Sequence, residues 1–301
     1  MMALTPHHKA FENNRDLMYA LAYRMLGSIS DAEDVVQDAF FRWRGVDLSR
    51  VDSPRAYLST VVSRLCVDRQ RRRKIEKLNY IGPWLPEPVD TGEPGPAERS
   101  EVAESISFAF LHLLETLNPL ERAVFILRES FDLPHDSVAS MLDIEPAYSR
   151  QLLRRAKAKL GDFRNAAAQE PGEEVRRLLA TFAEATASGD LDKLREVLAD
   201  DVVSLSDGGG RVTAALIPLH GFDRVTRVLI HVTRKNLGNV AREWRHINGN
   251  WGLVSRGDDG VHSVTTAAIE NGRITTLFVV RNPAKLRGIL GNACLGPETT
   301  R

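Results

Sequence analysis

Ser149, Arg150, Gln151, Arg154 and Lys157 fall within one basic stretch of this chain, and their side chains are of the kinds that read nucleic acid. A guanidinium can grip guanine O6 and N7 with two hydrogen bonds, and a carboxamide can do the same for adenine N6 and N7. Each such pair contributes about 1–3 kcal/mol of discrimination. Arg155 and Lys159 beside them suit phosphate oxygens. A second basic set, Arg64, Arg69, Arg71, Arg72 and Arg73, includes a run from Arg69 to Lys74 that is almost wholly cationic. Asp31, Glu33, Asp34 and Asp38, with Gln37 among them, form an acidic block able to pair with a basic protein surface. The plainer readings are a solvated helix face for the cations and a dipole-favoured first turn for the acids.

These residues need elements to present them. From Leu133 to Leu160 the sequence reads as a short helix, a break at Asp143-Ile144-Glu145 and a second helix. Val138, Met141 and Leu142 give the first helix an apolar stripe, and Leu152, Leu153, Ala156 and Leu160 do so for the second. Asp tolerates the left-handed backbone that such a break needs, and Pro146 suits a first helical position. The pattern is a helix-turn-helix candidate, whose second helix fits the major groove. Amphipathic pairs of this kind also occur in proteins that never touch DNA, so the motif alone leaves both readings open. Residues from about 10 to 75 are helical in pattern as well, with Ser30-Asp31 and Asp52-Ser53-Pro54 as helix starts and the Arg69–Lys74 run at the end.

The chain of 301 residues suits two or three domains. Its formal net charge is zero, so nucleic-acid binding has to rely on local basic stripes balanced by acidic segments elsewhere. Cys66 and Cys294 lie far apart without metal-like spacing, and no window approaches the twenty or so apolar residues that span a bilayer. The first residues lack the apolar core of a secretory signal. A cytoplasmic protein without metal or cofactor is expected.

From about Ile81 to Arg99 proline, glycine and acidic residues predominate, the composition of an extended linker. Trp84 and Leu85 within it are expected to dock on the folded protein rather than stay in water. After Gln169-Glu170-Pro171-Gly172 two helices are expected, Glu173 to Ser188 and Leu191 to Leu198. Strands follow, with turns at Asp207–Gly210, Asn248-Gly249-Asn250 and Asn271-Gly272 and a helix from about Phe222 to Lys235. The last segment therefore reads as α+β, with helices first and then a curved antiparallel sheet.

Two basic helices on separate domains joined by a tether are more specific than either alone. The chain resembles bacterial extracytoplasmic-function (ECF) sigma factors, through DAEDVVQDAFFRWR (31–44), PRAYLSTVVSRLCVDRQRRRK (54–74) and LNPLERAVFILRESFDLPHDSVASML (117–142). WLPEP (84–88), DGGGR (207–211) and NPAKL (282–286) liken it to the subgroup with a carboxy-terminal SnoaL-like domain. The resemblance implies two all-α sigma domains, the second with the helix-turn-helix, followed by an α+β SnoaL-like cone of the nuclear-transport-factor type. The expected boundaries are 8–76 for region 2, 77–100 for the linker, 101–166 for region 4 and 172–290 for the SnoaL-like domain.

By the same resemblance Asp31, Glu33, Asp34, Gln37 and Asp38 would face the clamp helices of core RNA polymerase. Asp47, Ser49 and Arg50, in the loop before Pro54, and Arg64, Arg69, Arg71, Arg72 and Arg73 would meet the minus-ten DNA. Ser149, Arg150, Gln151, Arg154, Arg155 and Lys157 would meet the minus-thirty-five element. Asp207, Gly208, Gly209, Gly210 and Arg211 would lie against Trp84, Leu85, Pro86, Glu87 and Pro88, with Asn282, Pro283 and Lys285 close by. Ala284 stands where the family usually has Asp, so one polar contact is not expected there.

The expected function is that of a sigma factor binding core polymerase and promoter DNA, with the last domain regulating it in cis. Two rivals are a polymerase-independent helix-turn-helix regulator and a SnoaL-like isomerase or cyclase carrying a DNA-binding appendage. For the enzyme, Asp207, His220, His231, Trp244 and Trp251 are the candidates, but lone residues on hairpins do not make an acid–base pair. No catalysis is expected, because a shared fold does not bring chemistry with it. The last domain is left open to a small ligand or a protein partner.

Overall fold

The computed structural model describes residues 5–92, 107–161, 172–235, 240–258 and 260–289. It divides into two compact units. One is formed by the helical segments up to Asn79 and from Phe110 to Gly161; the other is formed by Tyr80–Gly92, Ser107–Ala109 and the described chain from Gly172.

The helical unit contains α1 (Pro6–Glu12), α2 (Arg15–Leu26), α3 (Ile29–Trp43), α4 (Pro54–Leu78), α5 (Phe108–Leu114) from Phe110 on, α6 (Pro119–Glu129), α7 (His135–Leu142) and α8 (Pro146–Leu160). Local chemistry fixes the ends. Ser28 rather than the expected Ser30 caps α3, its hydroxyl accepting from the Asp31 N–H. Ser53 caps α4 with Pro54 in its first turn, and Asn118 and Glu121 form a reciprocal capping box on α6. Asp143 ends α7 in the left-handed conformation at φ 56°, and Glu145 precedes α8 without a side-chain cap. Apolar faces of the first four helices and the later ones merge into one core around Trp43, Phe125, Leu58, Leu114, Val138 and Leu152. The two basic segments therefore belong to a single packed body in this structure.

The second unit contains α9 (Gly172–Ser188), α10 (Leu191–Val197), β1 (Leu198–Asp207), β2 (Leu219–His220), α11 (Phe222–Lys235) and strands β3 (Ala241–Ile247), β4 (Asn250–Gly257), β5 (Gly260–Glu270) and β6 (Arg273–Val280). The sheet order is β2-β1-β6-β5-β4-β3. The sheet is mixed rather than antiparallel, because β1 pairs with β6 in parallel. The meander β3–β6 reverses at each hairpin, and its last strand closes beside β1 from far along the sequence. Residue alternation reports faces and not the direction of so remote a neighbour. Both Asn-Gly turns have positive φ at Asn and Gly, the backbone that tight hairpins demand. One sheet face packs on α9–α11 through Leu178, Leu194, Phe222, Val202 and Leu277. The other carries Leu205, Val254, Val264 and Phe278, and onto it dock Leu85, Phe108, Leu286 and Ile289.

Candidate nucleic-acid interfaces and linker site

On α8 the exposed row runs through Arg150, Gln151, Arg154 and Arg155. Ser149 does not belong to it. Its side chain is buried, and its hydroxyl lies 2.9 Å from Nδ1 of His135, joining α8 to the start of α7. Burial and the nearby Arg128 and Arg150 push that imidazole below its ordinary pKa. Lys157 is half-buried and ion-paired with Glu129 at 2.9 Å, and Lys159 pairs with Glu121 at 2.6 Å. Tyr148 is an exposed aromatic in the first turn of α8 that the sequence reading passed over. Its position three residues before Gln151 was the available signal.

The acidic block and the arginine run turn out to be partly each other's partners. Asp31 is buried, and it receives Arg69 at 2.5 Å and Arg73 at 3.0 Å. Arg73, itself buried, also donates to the Leu26 carbonyl at 2.7 Å. In this structure Asp31, Arg69 and Arg73 thus tie α4 to α2 and α3. Hydrogen bonding to Asp31 holds the Arg69 guanidinium above its usual pKa. The physical reason is that two cations one helical turn apart on α4 converge on one carboxylate at the start of α3.

Glu33, Asp34, Gln37 and Asp38 remain exposed on α3, as do Arg71 and Arg72 on α4. In the loop before Pro54, Asp47 accepts from the Ser49 hydroxyl at 2.7 Å and its backbone N–H at 3.1 Å, which lowers its carboxyl pKa. Ser49, Arg50 and Asp52 are exposed beside it. Arg64 has a different place from the one expected. It donates to the carbonyls of Met141 at 2.7 Å and Ser140 at 3.1 Å, at the C-terminal end of α7. A cation there satisfies carbonyls that the helix itself leaves open.

In the second unit a buried carboxylate organises the linker. Asp207, at the end of β1, is fully buried; it accepts from the Tyr80 hydroxyl at 2.5 Å, the Leu85 N–H at 2.9 Å and the Lys285 ammonium at 2.8 Å. Lys285 also donates to the Leu85 carbonyl at 2.5 Å and lies 3.4 Å from the centre of the Trp84 ring. The ammonium meets both the carboxylate and the ring face, the kind of partner that buried charges require. Asn282 donates to the Tyr80 hydroxyl at 2.9 Å, and its backbone N–H reaches the Asp207 carbonyl at 2.8 Å. Burial first, and then Asp207, push the Tyr80 phenol pKa upward. Gly209, at φ 59°, could not carry a side chain, since a Cβ would sit 2.3 Å from the Asn282 amide nitrogen. A Cβ would sit 2.6 Å from the Val212 carbonyl oxygen at Gly208 and 2.8 Å from the Ile81 side chain at Gly210.

Pro86 and Pro88 are buried and Glu87 half-buried, whereas Arg211 and Pro283 face solvent. Val89 and Thr91 continue the docking through backbone hydrogen bonds with Asn248 and His246. Arg245 pairs with Asp90 at 2.7 Å. Tyr80 and Lys285 thus stand at the centre of the site, and sequence reasoning had missed Tyr80, which precedes the WLPEP motif.

A sigma-70 region 2 model matches residues 10–75, and a sigma-70 region 4 model matches residues 107–160. The ECF RNA polymerase sigma factor SigJ of Mycobacterium tuberculosis is 32% identical over 92% of this chain and 92% of its own. The probable ECF sigma factor SigI of the same species is also 32% identical, over 93% of this chain and 95% of its own. The chain belongs to the ECF RNA polymerase sigma factors. The crystal structure of M. tuberculosis SigJ superposes with a TM-score of 0.75 at 30% identity, covering 93% of this chain and 98% of that one. As a sigma factor the protein binds core RNA polymerase and directs promoter-specific initiation, and its carboxy-terminal domain is part of what it shares with SigJ.

Asp207 is committed to Lys285, His220 and His231 are exposed, and Trp244 and Trp251 pack beside the helical face of the sheet. The relatives are sigma factors, and the chain as a whole is read as one. Among the described residues, no helix is long and apolar enough to cross a membrane.

Proposed function

We propose that the carboxy-terminal domain of this sigma factor regulates it in cis by holding the interdomain linker. The observation that carries this is Asp207, a buried carboxylate that accepts hydrogen bonds from Tyr80, Leu85 and Lys285. The segment between the two promoter-binding regions is thereby anchored to the third domain at one end, so its reach is shortened. The domain acts through this grip and not as an enzyme, and the protein works in the cytoplasm, where core polymerase is.

The exposed Glu33, Asp34, Gln37 and Asp38 are assigned to polymerase, Arg71 and Arg72 with Asp47, Ser49 and Arg50 to the minus-ten DNA, and Arg150, Gln151, Arg154 and Arg155 to the minus-thirty-five element. The helical unit as it stands is a closed state. The two promoter elements lie about 25 base pairs apart, roughly 85 Å of B-DNA. A packed body of this size has a radius of gyration of about 14 Å. Engaging both elements requires α4 and α7 to part, which breaks the Arg64 bonds to Ser140 and Met141. Run-off transcription with core polymerase, comparing the full chain with one ending before Gly172, tests the regulatory reading. Changed promoter output with retained polymerase binding is expected. Equal output from the two proteins would discard it.

A further inference from the structure

The sheet face turned toward the helices lines a partly open cavity of about 380 Å³ between α9, α11 and strands β3–β6. That volume lies in the range of small-molecule sites. Its apolar wall is formed by Phe182, Leu229, Leu253 and Val279. At one end the lining turns polar along a single cross-strand row. Arg242 on β3 faces Ser255 on β4, and Ser255 faces Ser263 on β5. One step beyond the Val264–Val280 pair, the same row reaches Arg281 after β6.

His262 joins this end for a structural reason. Ser255 pairs with Ser263 and Arg256 with Val261, so His262 is the extra residue of a β-bulge. Adjacent residues of a regular strand point to opposite faces, yet His262 and Ser263 both line the cavity. Bulges re-aim side chains in this way beside binding sites.

Among the described residues no carboxylate lines the cavity. Arg242 donates to the Ala183 carbonyl and Arg281 to the Thr213 carbonyl, so backbone dipoles and not acids meet these two cations. Burial lowers the Arg281 pKa, with no neighbouring acid raising it. Two guanidinium groups and an imidazole at one end of an apolar chamber suit an anion with an apolar body.

We propose that this cavity is a receptor site for a free amphipathic monocarboxylate. The carboxylate is taken by Arg281 and Arg242 at the row of hydroxyls, and the apolar body lies against Phe182, Leu229 and Leu253. Arg281 directly precedes Asn282, and its own N–H is bonded to the Asp207 carbonyl at 2.8 Å. Resting on the cis-regulatory reading, a ligand that draws Arg281 off Thr213 acts on the loop that follows the triple glycine.

Calorimetric titration of the full chain, without polymerase, tests the site apart from that reading. The probes are octanoate, decanoate and 2-naphthoate, with decan-1-ol as the uncharged control. At least one acid should bind with decan-1-ol about tenfold weaker or worse, and Arg281→Gln and Arg242→Gln should each weaken that acid about tenfold. Ala183→Trp, which fills the chamber, should abolish binding while circular dichroism stays unchanged. Three outcomes would each overturn the proposal: no binding of any acid, equal binding of acid and alcohol, or affinity indifferent to both arginine variants.

Discussion

At the residue scale, two carboxylates, one fully buried and one half-buried, show how the same group can hold different parts of a molecule. Asp207 and Lys285 form an ion pair whose side chains are almost wholly removed from water. Removing one partner of such a pair typically costs about 3–5 kcal/mol, because the other charge stays buried alone. Asp207→Ala should therefore free the linker, read as new protease cleavage within 80–92 while the helical unit keeps its resistance. Glu115 is the second case. It meets Lys77 and, at 2.8 Å, Arg122, and despite the opposing effect of its burial these cations hold its carboxyl down to about 2. A carboxyl depressed in the folded state stabilises the protein above its unfolded value near 4.5, and that stability is lost as pH falls toward 2. The loss amounts to about 3 kcal/mol. Urea unfolding at pH 5 and pH 3 should show a smaller loss on acidification in Glu115→Gln than in the parent.

At the scale of the element, α4 carries two kinds of arginine that the sequence does not distinguish. Arg71 and Arg72 face solvent, whereas Arg73 is buried against Asp31 and the Leu26 carbonyl. Replacing Arg71 and Arg72 together by Ala should weaken promoter opening, seen as reduced permanganate reactivity of the template, with little change in melting temperature. Arg73→Ala should instead lower thermal stability by about 1–3 kcal/mol, since the Leu26 carbonyl loses its donor while Asp31 keeps Arg69. The same division exists on α8. Ser149→Ala should disturb the packing of His135 and leave DNA selectivity intact, while Arg154→Ala should relax it by about 1–3 kcal/mol at one base pair, read by competition binding of the polymerase complex.

For the whole molecule, zero net charge and two basic surfaces give a protein whose DNA affinity comes from local charge. If roughly eight phosphates are neutralised in the promoter complex, affinity should fall on the order of 10³–10⁵-fold between about 50 and 200 mM salt. Filter binding of the polymerase complex across that range checks it, and a flat profile would remove the electrostatic account. Arg64→Ala should favour the open state of the helical unit by deleting its bonds to α7. Fluorophores on α4 and α7 should then report a longer separation in free solution than in the parent. An unchanged separation would leave Arg64 without a role in closure.

Most elements and their punctuation are legible in neighbouring residues alone. Apolar periodicity, Pro146, the Asn-Gly turns and the helix from Phe222 to Lys235 are local signals, written in neighbouring residues and so readable without a structure. The sequence also marked out the linker tryptophan and the triple glycine, because a large aromatic among prolines and a run without side chains each ask for a partner. Which charges meet each other and which face water depends instead on the folded path of the chain. Asp31 and Arg73, Arg64 and α7, and Asp207 with Tyr80 and Lys285 are joined across long stretches of chain. The folded path likewise decided that β6 runs parallel to β1 and that a bulge turns His262 toward the cavity. The reason is one of distance: a residue type fixes what a group can bond to, and only the folded path fixes what lies within three ångströms of it.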